Sequence, residues 1–124
     1  GDMSVEGVRV VRITDSSGDI TARQLLADVE INDSSGDVRV EDAAGAVRVE
    51  DSSGDVVIRG AKSVHIPQDS SGDMIIERIT GDVTIDRDSS GDVFVSDVGG
   101  NVEFIADGSG LVRVTDVKGT VRLP

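Results

Sequence analysis

The chain has 124 residues, a formal net charge of −12, 37% hydrophobic residues and no cysteine, tryptophan or tyrosine. That length makes one domain spanning residues 1–124. The missing cysteines exclude disulfides and thiolate metal sites, and the acidic excess excludes nucleic acid and anionic membrane surfaces as partners. No apolar run approaches the ~20 residues of a membrane span and no export leader is visible, so membrane insertion is not expected and the chain reads as the mature or excised portion of a longer exported protein.

The first element starts almost at once, at Val5-Glu6-Gly7-Val8. The motif DSSGD then opens at Asp15 and returns at Asp33, Asp51, Asp69 and Asp88, with a worn copy, DGSGL, at Asp107; the intervals are 18, 18, 18, 19 and 19 residues. Each motif is followed by a period-2 strand, a turn and a second strand. These are Ile20–Ala22 and Val29–Ile31, Val38–Val40 and Val47–Val49, then Val56–Ile58 and Val64–Ile66 ahead of Pro67. Met74–Ile76 and Val83–Ile85, Val93–Val95 and Val102–Phe104, and Val112–Val114 and Val121–Leu123 complete the series. The unit is therefore a nonapeptide, D-x-x-G-D-V-x-V-x, in two alternating forms, with glycine at each turn free to take positive φ.

Strands this short cannot fold as hairpins with their own cores. Stacked as successive coils they bury one another, each about 4.8 Å above the last, with equivalent positions forming columns. The repeat predicts an all-β parallel solenoid of about six coils of 18–19 residues with two short strands per coil. An antiparallel sandwich is the rival, but it gives no reason for near-identity every 18 residues. Five apolar columns face inward: those of Val38, Val40, Ala43, Val47 and Val49 and their repeats. The aliphatic layers are a sufficient core even though Phe94 and Phe104 are the only aromatics.

Stacking also creates two acidic columns, Asp15, Asp33, Asp51, Asp69 and Asp88, and Asp19, Asp37, Asp55, Asp73 and Asp92. Like charges one strand spacing apart repel by ~1 kcal/mol in water, so something offsets them. Three uses compete. The leading Asp can accept hydrogen bonds from backbone N–H groups two residues on, with water and salt screening the rest. The columns can bind Ca²⁺, since the coil of two nonapeptides is similar to the calcium-binding β-roll, G-G-x-G-x-D-x-U-x. The DSSGD units depart from that pattern: each carries a single glycine where the roll has a pair, and Asp follows Gly directly, as in Gly54-Asp55-Val56. Or the acidic edge recognises a basic or polyhydroxylated partner, a cell-surface polysaccharide or protein.

The runs Ser17-Gly18-Asp19-Ile20, Ser35-Gly36-Asp37-Val38, Ser53-Gly54-Asp55-Val56, Ser71-Gly72-Asp73-Met74 and Ser90-Gly91-Asp92-Val93, with Gly81-Asp82-Val83 in the alternate half, carry a family resemblance. The chain resembles the bacterial adhesin family of β-helical envelope domains of unassigned function, whose coils repeat S-G-D-[VI]. The resemblance covers about Val8 to Leu123. It implies a right-handed parallel β-helix outside the cytoplasm (periplasm, cell surface or secreted), and no catalytic residue.

Outward positions of the first strand put Val57, Ile75 and Phe94 in one column between Arg39 and Arg113, a contact stripe for self-association or for a missing part of the parent chain. The next column, Arg23, Glu41, Arg59, Glu77, alternates in sign and pins register, as do Glu30 below Arg48 and Glu103 below Arg122. His65 points outward with no second histidine or cysteine to complete a metal set. No long loop overhangs a face to build a catalytic cleft. The chain ends lack caps, with Pro124 blunting one edge, so end-to-end polymerisation is a further alternative. The expected function is a non-enzymatic, extracytoplasmic, adhesin-like structural or binding module without a cofactor. A calcium-binding roll and a self-assembling filament are the alternatives.

Overall fold

The computed structural model describes residues 3–7, 9, 11–15, 18–33, 35–51, 53–69, 72–88, 91–107 and 110–122. Its strands are, in chain order, β1 (Met3–Glu6), β2 (Val11–Asp15), β3 (Ile20–Leu25), β4 (Val29–Asp33), β5 (Val38–Ala43), β6 (Ala46–Asp51) and β7 (Val56–Ala61). There follow β8 (Ser63–Asp69), β9 (Met74–Ile79), β10 (Val83–Asp88), β11 (Val93–Val98), β12 (Val102–Asp107), β13 (Val112–Val117) and β14 (Val121–Arg122). Odd-numbered strands form one seven-stranded sheet and even-numbered strands the other, every pairing parallel. The molecule is a right-handed parallel β-helix with two strands per coil.

Register follows the repeat. Ile20 pairs with Val38, Val38 with Val56, Val56 with Met74, Met74 with Val93 and Val93 with Val112. The alternation of Val, Ile and polar residues sends every second side chain inward, giving one continuous core between the sheets. Val38, Val40, Val56, Ile58, Met74, Ile76, Val83, Ile85 and Val93 have no exposed surface, and Phe104 is buried among the aliphatic columns. In the last coil Val112, Val114 and Val117 are only partly buried and Val121 is exposed. The inward call on Leu123 and the edge role of Pro124 lie outside the described residues, as do Val8, Ser17, Ser71 and Ser90 of the motifs.

Two features differ from the sequence reading. Most strands run on beyond V-x-V to six residues, because the second corner is a bend within hydrogen-bonded backbone. Positive φ at that corner falls on Gln24, Asp42, Arg78, Asp97 and Asp116, at 51–56°, with Gly60 in the same column. The second-corner glycines are needed for space instead. A Cβ at Gly45 would lie 2.7 Å from the carbonyl carbon of Ala27, because adjacent coils stack backbone on backbone there.

The coil through β8 is one residue short at its corner, where Ser63 pairs with Ala46. It regains that residue where Asp69 pairs with Asp51, through an irregularity opposite Arg48–Glu50. Pro67 occupies this stretch, where the interrupted ladder tolerates a residue without an N–H.

Candidate functional site

The first corner, where DSSGD turns the chain from one sheet to the other, is built on a glycine column. Gly36 and Gly54 have φ of 99° and 100°, and a Cβ on Gly54 would run into the carbonyl oxygen of Gly36. With no side chain in the way, successive corners close to backbone contact and the flanking aspartates stack in register.

The trailing column is an inter-coil ladder. Asp19 Oδ1 accepts the backbone N–H of Asp37 at 3.0 Å, Asp37 Oδ1 that of Asp55 at 2.9 Å, and Asp55 Oδ1 that of Asp73 at 2.9 Å. Asp73 Oδ1 accepts from Asp92 N–H and Asp92 Oδ1 from Leu111 N–H, each at 3.0 Å. This is how the column tolerates its own charge: each carboxylate meets the positive end of a peptide N–H from the next coil. The leading column, Asp15, Asp33, Asp51, Asp69 and Asp88, is stacked in backbone register, but its side chains lie outside the described residues.

The second corner carries a ladder that the sequence reading missed. Asp28 Oδ1 accepts Ala46 N–H at 3.0 Å, and Asp82 Oδ1 and Asn101 Oδ1 accept the N–H groups of Asn101 and Thr120 at 2.8 Å. The signal was Asp or Asn just before the second strand, blurred because Ala46 and Ser63 interrupt the column.

The acidic edge and the apolar stripe, read separately from the sequence, adjoin. A groove of about 240 Å³ is lined by Asp19, Asp37 and Asp55 on one side and by Thr21, Arg39 and Val57 on the other. Val57 pairs in register with Ile75, and Ile75 with Phe94, so the stripe continues along the outer face; all three are half-buried. The charged column beside it is as expected, with Arg23–Glu41 at 4.0 Å and Arg59–Glu77 at 3.7 Å. Arg48 reaches Glu30 at 3.8 Å, and Glu103 stands in register with Arg122. His65 is half-buried on the outer face of β8, its Nε2 2.9 Å from Asp86 Oδ2.

A second concavity, of about 310 Å³, sits at the second corner among Asp42, Ala43, Ala44, Gly60, Ala61, Lys62, Arg78 and Thr80. It exists because Ala43, Ala44, Gly60 and Ala61 fill two adjacent coils with small side chains, whereas the neighbouring coils carry Leu25 and Ile79. Among the described residues, no group of three or more His, Cys, Asp or Glu is arranged to hold a metal ion, and no helix is long and apolar enough to cross a membrane.

In comparisons with known proteins, no family model matches the chain, and no curated protein and no solved structure matches it. The assignment to a parallel β-solenoid rests on the strand pairing itself.

Proposed function

We propose that the chain is a non-enzymatic binding module of the adhesin type, working outside the cytoplasm of a bacterium and gripping an extended, polyhydroxylated polymer along the first-corner groove. The observation that carries this reading is the meeting of Asp19, Asp37 and Asp55 with Thr21, Arg39 and Val57 in one groove. Sugar hydroxyls donate to carboxylates and accept from guanidinium and hydroxyl groups, while the C–H faces of the rings pack on an aliphatic side chain. The carboxylates repeat once per coil, so a linear polymer meets one at regular steps of about one strand spacing, while the facing wall changes from Thr21 to Arg39 to Val57. The ladder spends one carboxylate oxygen of Asp37 and Asp55 on the backbone, and this also fixes the side chains before a ligand arrives.

The test is retention of the chain on insoluble cellulose, chitin and cross-linked dextran, compared with an Asp37→Asn/Asp55→Asn variant. Asn keeps the Oδ1 acceptor, as Asn101 does in the second ladder, so the fold is preserved while the charge is removed. Retention of the parent chain on at least one matrix, weakened by more than about tenfold in the variant, is expected. No retention on any matrix, or retention that ignores the double variant, would overturn the reading.

A further inference from the structure

We propose that the concavity at the second corner binds a small zwitterion of the α-amino-acid class, taking its carboxylate on Lys62, Arg78 and Thr80 and its ammonium on Asp42 and the Ala43 carbonyl. This site lies at the far end of the odd-numbered strands from the first-corner groove, and it does not depend on what that groove binds.

The concavity is where the ladder between coils opens. Elsewhere in the odd-numbered sheet the pairing runs into the corner residue: Leu25 pairs with Ala43, Ala61 with Ile79 and Ile79 with Val98. Between β5 and β7 it stops at Glu41–Arg59. The cause is the residue dropped before Ser63. Lys62 N–H reaches the Gly45 carbonyl at 3.1 Å, whereas its equivalents in Ala44, Thr80, Gly99 and Lys118 bond to the carbonyls of Leu25, Ala61, Ile79 and Val98. Ala43 is the counterpart of those four acceptors, and its carbonyl is left without that N–H although the residue is buried. A buried carbonyl deprived of its donor is costly, so the gap favours a ligand that brings an N–H group.

Charged groups of both signs surround the gap. Asp42 and Arg78 share one outward column two coils apart, and Gly60 stands between them with no side chain to fill the interval. The Asp42 carboxylate leans over that glycine, its Oδ1 3.2 Å from where a Cβ would be. Lys62 and Thr80, from the next column, line the same concavity. Among the described residues Asp42, Lys62 and Arg78 make no ion pair, whereas Arg23, Arg39, Arg48 and Arg59 each do. In a chain with 24 acidic residues against 12 basic ones, two cations facing one concavity with no carboxylate partner are open to a ligand's carboxylate.

The mixed signs select the ligand class. A simple anion would bring like charge to Asp42 and would be repelled by the chain's net −12, and a simple cation would meet Lys62 and Arg78. A molecule with both charges a few bonds apart answers every group at once, its carboxylate accepting from guanidinium, ammonium and hydroxyl, its ammonium donating to carboxylate and carbonyl. Being neutral overall, it meets no net repulsion from the chain. The volume of about 310 Å³ is at the lower end of small-molecule sites, and Ala43 and Ala61 leave room for a short side chain.

The experiment is a ¹H–¹⁵N NMR titration of the 124-residue chain with glycine and with alanine, and with acetate and methylammonium as the two separate halves. Saturable shifts of the Ala44, Lys62 and Thr80 amides are expected with both amino acids, and acetate and methylammonium should each bind more than about tenfold more weakly. Asp42→Asn and Arg78→Gly should each weaken amino-acid binding by more than about tenfold, while circular dichroism shows both folded, because Asn and Gly accept the positive φ of 55° and 56° at these positions. No saturable shift up to about 50 mM would overturn the proposal, as would binding indifferent to both variants. Acetate binding as tightly as glycine would also overturn it, since the site would then take any small anion. The polymer-binding variant Asp37→Asn/Asp55→Asn should bind glycine as the parent does, so failure of one reading is separable from failure of the other.

Discussion

Asp37 Oδ1 accepts the backbone N–H of Asp55 at 2.9 Å, tying a residue to its own repeat in the next coil. The same bond recurs from Asp19 to Leu111, so the acidic column belongs to the frame of the solenoid before it belongs to any ligand. Its two roles separate by substitution. Asp55→Ala removes the acceptor for Asp73 N–H at an exposed corner where water replaces it in part, and should cost about 1 kcal/mol in urea unfolding. Asp55→Asn should stay within ~0.5 kcal/mol of the parent at moderate salt. Because like charges one strand spacing apart repel by ~1 kcal/mol in water, it should gain on the parent as salt is lowered.

The glycine columns make a sharper contrast. Gly54 combines φ of 100° with the carbonyl of Gly36 lying where a Cβ would go, and that obstacle is backbone. Gly54→Ala should cost more than ~3 kcal/mol, or prevent folding, because neither coil can retreat without breaking the ladder. Gly60 has φ of 80°, but the nearest atom to its Cβ would be the Asp42 carboxylate oxygen at 3.2 Å, on a movable side chain. Gly60→Ala should cost only the ~1–2 kcal/mol of the left-handed conformation. Thermal melts of the two variants side by side decide this.

Much of this architecture was legible in the sequence, and for a physical reason. Exact superposition of coils makes every residue report on its column, so Val38, Val56 and Met74 could be placed inward, and Val57, Ile75 and Phe94 outward, from spacing alone. The repeat does not reveal what a column does. The trailing Asp looks the same in sequence whether it caps its own turn or reaches the next coil. The second-corner glycines look like positive-φ residues, although the backbone bends three residues earlier, at Asp42 and its equivalents. The residue dropped before Ser63 and restored around Pro67 was only a hint of irregular turns, because the two changes offset each other within one coil. The groove at Asp55 and Val57 was hidden for a related reason. Asp55 and Val57 flank the inward Val56 and so share a face, but one reads as part of a turn and the other as part of a strand, which leaves the two unjoined.

Arg78 holds φ of 56° in the column where Gly60 stands one coil earlier. The left-handed conformation costs a residue with a side chain ~1–2 kcal/mol, and a glycine there gives back ~0.5–1 kcal/mol through its larger unfolded-state entropy. Arg78→Gly should therefore stabilise the chain by up to ~1 kcal/mol, a rise of several degrees in the melting midpoint for a domain of this size. Arg78→Val should lower it, since a β-branched residue tolerates positive φ least.

Burial along the solenoid gives the last prediction. Ile76 and Val114 occupy the same inward column, two coils apart, yet Ile76 has no exposed surface while Val114 is only partly covered. Ile76→Ala removes three carbons between full layers above and below, and should cost ~2–5 kcal/mol, because the coils on either side cannot collapse into the space without breaking register. Val114→Ala removes two carbons from a layer covered on one side, and should cost well under ~2 kcal/mol. In a stacked array each coil touches only its neighbours, so the two losses should add within ~0.5 kcal/mol in the double variant. Chemical denaturation of the single and double variants measures both the asymmetry and the additivity. Equal losses at the two sites would mean that the last coil is as well covered as the middle one.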